Sequence, residues 1–267
     1  MPKQQHILVA VDPSRQHHPA LERVLNNSQL IPIKPKLHLF VAVDSSAVNT
    51  DASNEALYTH IDDIYRLIAR IAKQGIECKS ELCWVAKWQE GMLQAAKRIS
   101  ADLIAVTDHS NVERKLFLPD SKWALLREAR RPVLLVRANA TPQRETVLAA
   151  INAQSEQQQN LTKKIIKYGR WLAETYGAEF HVVNAYKDAS QKMDVSQLQN
   201  LANVESHRVH SRQGSAVEIV SEIAQVIDAD VVVFGTEARQ SMMDSIRGNT
   251  SERLMHSLKQ DLLTLNG

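Results

Sequence analysis

The sequence repeats one strand-and-loop pattern at a separation of about half its length. In the first half an apolar run from Asp102 to Val106 leads into Thr107-Asp108-His109-Ser110, and in the second a run from Asp230 to Phe234 leads into Gly235-Thr236-Glu237-Ala238. Both copies resume after the same nine residues, with Asp120-Ser121 in the first and Gly248-Asn249-Thr250 in the second. An internal repeat of this kind predicts two copies of one structural unit.

Length and charge limit the classes of protein that need to be considered. A chain of 267 residues can form two domains of ordinary size, and we expect them at residues 1–138 and 145–267. Lys and Arg total 32 against 30 Asp and Glu, without a basic block, so we expect no nucleic-acid partner. No apolar run approaches the roughly 20 residues of a membrane span, and residues 1–5 lack the apolar core of a signal peptide. We therefore expect no membrane contact and a cytoplasmic location.

Short apolar runs alternate with amphipathic segments in both halves. This alternation predicts a parallel sheet covered by helices on both faces, so the fold class is α/β, with two tandem, open, doubly wound domains. The expected strands of the first half are 6–11, 37–43, 76–85, 103–106 and 133–136; those of the second are 146–151, 179–185, 204–210, 231–234 and 262–265. Lys187 to Asn203 is short and polar, so we expect the connection between strands two and three to be shortened in the second domain.

Ligands of an open parallel sheet bind beyond the carboxyl ends of the strands, where the strand order reverses. In the second domain this rule brings together Asn152, the stretch from Val183 to Tyr186, and Gly235-Thr236. The helix that begins at Gly248-Asn249-Thr250 would present free amide groups and its positive dipole end to the same crevice. The sequence therefore predicts a phosphate cradle there. The alternative is that Gly235 only allows a turn and that Asn249-Thr250 only caps a helix.

The corresponding loop of the first domain carries acidic residues in place of glycines. Thr107 and Asp120 replace Gly235 and Gly248, and Asp108 adds a second carboxylate. Two negative charges would repel a phosphate chain, so we expect no phosphate site there unless a cation intervenes. Asp12 either accepts hydrogen bonds from a base or ribose or caps the turn before Pro13.

Histidine is a common metal ligand. His109, with Asp108 and Asp120, is the one constellation that could hold a cation; the alternative, which the sequence favours, is that His109 is a solvated loop residue. His207 and His210 fall on a predicted strand with side chains on opposite faces, which excludes a shared metal.

Several runs match those of a known family. In the first half they are Ile7-Leu8-Val9-Ala10-Val11-Asp12-Pro13, Phe117-Leu118-Pro119 and Arg131-Pro132-Val133-Leu134-Leu135-Val136; in the second they are His181-Val182-Val183-Asn184-Ala185-Tyr186, Gly235-Thr236 and Gly248-Asn249-Thr250-Ser251-Glu252. Over nearly its whole length the chain resembles the universal stress protein family, in its tandem-domain, E-like type. The resemblance implies the Rossmann-like fold of that family and of the adenine nucleotide alpha hydrolases.

Family members that bind ATP carry Gly-x-x-Gly, nine residues, then Gly-Ser or Gly-Asn, with an Asp closing strand one. By resemblance Gly235, Gly248, Asn249 and Thr250 match this pattern, whereas Ala238 replaces the middle glycine and Asn152 replaces the Asp. The first domain matches only at Asp12. The resemblance thus implies weak binding of ATP or another adenine nucleotide by the second domain and no nucleotide in the first.

The resemblance also implies a role and an assembly. The role is bacterial stress response, without an enzymatic activity and with protein partners that the sequence does not name. The fifth strands, Val133–Val136 and Leu262–Leu265, are expected to pair antiparallel and to join the halves into an intramolecular pseudo-dimer, whose free sheet edges are candidates for a homodimer. Two alternatives stay open: a slow ATP hydrolase at Gly235 to Thr250, and a nucleotide-independent scaffold or carrier of a small molecule or metal.

Overall fold

A computed structural model describes residues 3–44, 50–108, 122–139, 143–154, 158–236 and 250–267. The chain divides into two compact units, Met1–Asn139 and Ala140–Gly267. Each unit contains a parallel sheet with helices in the connections between its strands, as the alternating sequence pattern predicts.

The first unit is a five-stranded parallel sheet with the strand order β3-β2-β1-β4-β5. Its chain order is β1 His6–Ala10, α1 Pro19–Leu30, β2 Lys36–Asp44, α2 Thr50–Ala72, β3 Cys78–Val85, α3 Trp88–Arg98, β4 Leu103–Asp108, α4 Lys122–Glu128 and β5 Val133–Arg137.

The second unit repeats this topology with the strand order β10-β9-β6-β7-β8, again all parallel. Its chain order is β6 Thr146–Ile151, α5 Gln159–Tyr176, β7 Glu179–Tyr186, α6 Val195–Ala202, β8 Val209–Gln213, α7 Ala216–Val226, β9 Val231–Thr236, α8 Thr250–Ser257 and β10 Asp261–Asn266. In both units the strand order reverses between the first and the fourth strand. The doubly wound class is therefore confirmed.

Central strands read as continuous apolar runs because both of their faces are covered. Leu8 and Val9 of β1 are fully buried, as are Val232 and Val233 of β9, although successive side chains point to opposite faces of a sheet.

The predicted shortening in the second unit is confirmed. Between β7 and β8 the helix α6 has 8 residues, whereas α2 at the matching place of the first unit has 23.

One strand boundary was wrong. The third strand of the second unit was expected at 204–210, but Ser206–Arg208 is a 3-10 turn and β8 begins at Val209. The pairing of Val182 with Val209 and of Tyr186 with Gln213 fixes where this strand lies. Because β8 flanks only one other strand of its unit, polar residues replace the apolar run by which a strand is recognised. His207 consequently lies in the turn, so the argument that it and His210 alternate along one strand does not apply.

Candidate functional site

The second unit contains a pocket at the point where its strand order reverses. β6 ends at Ile151 opposite Asn184, while β7 continues to Tyr186 and β9 continues to Thr236. Beyond the end of β6 lies a pocket of ≈ 550 Å³, which is bounded by α5, α7 and the start of α8. This is the position at which an open parallel sheet binds its ligands.

The walls of the pocket are apolar and its mouth is polar. Leu161, Ile165, Val220, Phe234 and Leu254 form much of the wall. The polar lining residues are Asn152, Gln154, Gln158, Thr162, Tyr186, Lys187, Thr250 and Ser251. Among the lining residues that the structure describes, Lys187 is the one with a formal charge and none is a carboxylate or a histidine. The pocket can therefore accept a flat apolar group next to an anionic one.

Gly235 lines this pocket and also allows a close approach of helix to sheet. A Cβ at this position would lie 2.5 Å from Cδ2 and 2.8 Å from Cγ of Leu161 in α5. Real side chains do not come this close, so any side chain at this position would force Leu161 to shift. The Ser251 hydroxyl donates to the Gly235 carbonyl at 3.1 Å and ties the start of α8 to β9.

Thr236, the next predicted ligand, is buried and does not line the pocket. Its hydroxyl donates to the side-chain oxygen of Asn266 in β10. The hydroxyl therefore links two neighbouring strands.

The remaining predicted residues that the structure describes are Asn152, Thr250 and Val183. Asn152 and Thr250 are exposed and line it, and the Asn152 carbonyl accepts a 3.0 Å bond from Thr162 Oγ1. Val183 is fully buried inside β7 and is not a lining residue; Ala185 and Tyr186, further along the same strand, are. Ala238, Gly248 and Asn249 lie outside the described residues.

Sequence reasoning passed over several lining residues. Gln154 donates to the Ala185 carbonyl at 3.4 Å, and Lys187 is exposed at the pocket directly after β7. Lys187 could have been predicted from the sequence, because it is a cation directly after the second strand of the unit. Asn184 is fully buried, and its side-chain oxygen accepts from the Ala153 amide at 3.2 Å, which holds the turn after β6.

In the first unit Asp12 is occupied by its own turn. Its carboxylate accepts from the Ser14 amide at 3.0 Å, from the Ser14 hydroxyl at 2.6 Å and from Arg15 Nε at 3.0 Å. The side chain is only 5% exposed. Of the two interpretations of Asp12, this geometry favours the cap of the turn.

The crevice of the first unit is less acidic than its sequence suggests. Asp108 forms an ion pair with Arg137 of β5, so its charge is compensated. The Thr107 hydroxyl accepts from the Ala20 amide at 3.0 Å in the first turn of α1. His109 and Asp120, the other members of the predicted cation constellation, lie outside the described residues. Within the described ranges no group of three or more metal-ligating side chains is present.

A histidine pair in the second unit was also missed. His181 Nδ1 lies 3.1 Å from His210 Nε2, and the ring planes are only 13° apart with centroids separated by 5.4 Å. The nitrogens are much closer than the centroids, so they lie between the ring centres and the rings meet edge to edge. The 3.1 Å separation is that of a hydrogen bond between the two rings, in which the tautomers decide which nitrogen donates.

The partner of the strand-two histidine differs between the units. In the first sheet Phe40 of β2 pairs with Glu81, and in the second Val183 of β7 pairs with His210. His38 lies two residues before Phe40 and His181 lies two residues before Val183, so the two histidines occupy matching positions. His38 Nε2 accordingly lies 3.2 Å from Glu81 Oε2, whereas His181 contacts His210. Burial lowers the pKa of both His38 and His210, that of His210 to about 4. His38 also has an imidazole neighbour, His6, but those rings are tilted by 58° with centroids 6.4 Å apart, so among the described residues the close N···N contact is seen in the second unit.

No helix in the described part of the chain is long and apolar enough to cross a membrane.

Comparisons with known proteins agree on one family. The model of the "Universal stress protein family" matches residues 4–137 and 187–266. The chain is 25% identical to the universal stress protein E homolog of Haemophilus influenzae over 98% of this chain and 97% of that protein. It is 27% identical to universal stress protein E of Escherichia coli K12, over 98% and 93%. The crystal structure of a universal stress protein from Archaeoglobus fulgidus superimposes with a TM-score of 0.73 at 14% identity, over 98% of both chains.

Proposed function

The chain belongs to the universal stress protein family, and on that premise we propose that it is a non-enzymatic, cytoplasmic stress-response protein whose second unit binds an adenine nucleotide. The observation that carries the proposal is the ≈ 550 Å³ pocket at the strand-order reversal of the second unit. Its volume suits a small organic ligand, and its lining combines an apolar slot with anion-attracting groups.

The base of the nucleotide would occupy the apolar part of the pocket. β7 continues past the end of β6, so Ala185 and Tyr186 have no strand partner on that side. On that side the Ala185 carbonyl can accept from the amino group at the edge of a purine, whereas the Tyr186 carbonyl accepts from the Gly214 amide at 2.9 Å and is already used. The long 3.4 Å bond from Gln154 to the Ala185 carbonyl is one that an adenine amino group could replace.

The phosphates would lie at the start of α8. Thr250 is the first residue of this helix, and its free amide groups and positive dipole end favour an anion. Ser251 and the ammonium group of Lys187 line the same pocket. The described lining residues include no carboxylate that would repel an anion. This supports a nucleotide over an uncharged ligand.

Binding without turnover is the favoured activity. A hydrolase needs a general base within reach of the attacking water. The lining residues that the structure describes include neither a carboxylate nor an imidazole. In this proposal the ligand acts as a signal, and the occupied and empty states differ in what they present to protein partners.

The test is a calorimetric titration of the full chain with Mg-ATP and with adenosine. Thr250→Asp is the informative variant, because a carboxylate at a helix start stabilises the helix but repels phosphates. Thr250→Asn is the neutral control of the same size. We expect Thr250→Asp to weaken ATP binding by roughly tenfold or more and to leave adenosine binding unchanged, with Thr250→Asn close to the original protein.

Two results would contradict the proposal. Absence of binding heat with both ligands would rule out nucleotide binding and would favour the nucleotide-independent scaffold. Phosphate release at a rate that follows ATP occupancy would make the protein a hydrolase.

A further inference from the structure

A second concave surface lies between α5 and α6, away from the nucleotide pocket. It is a groove of ≈ 440 Å³, and three apolar side chains contribute to its lining: Ile166, Trp171 and Leu201. Trp171 is 39% exposed and Leu201 37%, although both are large and apolar. Leu161, Thr162 and Ile165 of the same helix face the nucleotide pocket, so α5 separates the two sites.

The groove lies beside the shortened connection of the second unit. The helix α6 spans about 12 Å, whereas α2 at the matching place of the first unit spans about 35 Å. A helix of 8 residues can cover only a small part of the 18-residue α5. Trp171 on the flank of α5 stays 39% exposed.

The rim of this α5–α6 groove is basic. Lys163 and Lys167 are four residues apart, so they lie on one face of α5 with their Cβ atoms roughly 6 Å apart. Both are exposed and line the groove, and neither has a hydrogen bond or ion pair within the described part of the chain. Arg170 also lines it, but it is committed, since it donates to the Ala202 carbonyl and its guanidinium lies 5.9 Å from the Phe180 ring centroid.

We propose that the α5–α6 groove docks an acidic amphipathic helix of a partner protein. Two carboxylates spaced four residues apart on that helix would face Lys163 and Lys167, and one bulky apolar side chain would insert between Trp171 and Leu201. Charge complementarity selects this occupant. The ammonium groups of Lys163 and Lys167 lie beside an apolar surface, and their four-residue spacing matches the spacing of two carboxylates on one face of a partner helix. The carboxylate of Glu174 at the far end of the groove would repel a uniformly anionic lipid surface.

The probe is a fluorescein-labelled helical peptide with a stripe of leucines and, directly beside that stripe, two glutamates four residues apart, so that both can face the groove. Its fluorescence anisotropy is followed while the full chain is added. We expect saturable binding that falls at least tenfold in the Lys163→Glu/Lys167→Glu variant and also weakens in Leu201→Ser. The matched control is Lys73→Glu/Lys97→Glu, which makes the same charge change at exposed lysines of the first unit and should bind as the original chain does.

Each contrary result overturns the proposal. Circular dichroism first establishes that all variants are folded. Failure of the peptide to bind at millimolar protein, or an equal loss in the control variant, removes the docking site. Binding to phosphatidylglycerol vesicles that depends on Lys163 and Lys167, without peptide binding, would make the groove a lipid site. Self-association in sedimentation that the same variant abolishes would make it an interface between copies of this chain.

Discussion

Gly235 and Leu161 are in such close contact that a Cβ on residue 235 would lie 2.5 Å from Leu161 Cδ2. The glycine that best marked the candidate site in the sequence therefore also has a packing role, whether or not a ligand is bound. The same contact places α5 against β9 and so forms one wall of the pocket. Fold and site depend on the same residue, which is why a glycine alone cannot distinguish a structural role from a binding role.

Gly235→Ala should destabilise the chain by about 1–3 kcal/mol, because an added methyl group overpacks a tightly filled contact. Urea unfolding followed by circular dichroism measures this change. Leu161→Ala costs stability by leaving a cavity, but in the double variant the new methyl group has space. The two costs should therefore be less than additive. Strict additivity would contradict the contact.

Arg144 and Asp261 form an ion pair of 2.7 Å in the second unit, and both side chains are fully buried. Arg144 also lies 5.1 Å from the centre of the Tyr176 ring. Arg144→Met leaves a buried carboxylate without its cation, so we expect a loss of about 3–5 kcal/mol in the free energy of unfolding. The Arg144→Met/Asp261→Leu double variant should recover a large part of it. A single variant that unfolds at the same urea concentration as the original chain would refute this expectation.

The stability of the chain should depend on pH through His210. Its pKa is lowered to about 4 in the folded state, first by burial and then by the neighbouring His181 and Arg212, from about 6.5 in the unfolded chain. Between these values the unfolded state binds the extra proton, so stability rises with pH from about 4 to about 6.5 and is lost as the pH falls. Glu179, whose Oε2 lies 3.2 Å from His181 Nε2, is the carboxylate next to the pair.

His210→Gln removes the titrating group and should flatten this rise, as measured by urea unfolding at several pH values between 4.5 and 7.5. His256→Gln is the control, because His256 is exposed and its loss should leave the slope unchanged. His18 and His38, whose pKa values are also lowered mainly by burial, add a slope of the same sign that remains in both variants. An unchanged slope in His210→Gln would contradict the assignment.

The first unit should bind no nucleotide. Asp12 is held by Ser14 and Arg15, and Asp108 pairs with Arg137. Calorimetry should therefore give one ATP per chain, and Asp108→Asn should not change this number. Two ATP per chain, or a second site gained in Asp108→Asn, would show that the first crevice can accept phosphate.

The sequence was sufficient for the fold because its signal is local and repeated. Apolar runs and amphipathic helices predicted both sheets and the reduced α6. β8 was misplaced because its polar residues, such as Ser211 and Arg212, carry no apolar period. Partners distant in sequence could not be predicted: the hydroxyl of Thr236 bonds Asn266, and Asp108 meets Arg137, only after the strands have aligned. Lys187 and Gln154 line the pocket because β7 extends beyond the end of β6. The apolar pattern of the sequence does not show how far one strand extends beyond its neighbour.

The most direct test of the nucleotide proposal is photoaffinity labelling of the full chain with 8-azido-ATP, followed by mapping of the labelled peptides. We expect the label to fall on the pocket walls of the second unit, within residues 150–165 or 185–220, and excess ATP to prevent it. Label in the first unit, or label that ATP does not displace, would contradict nucleotide binding by the second unit.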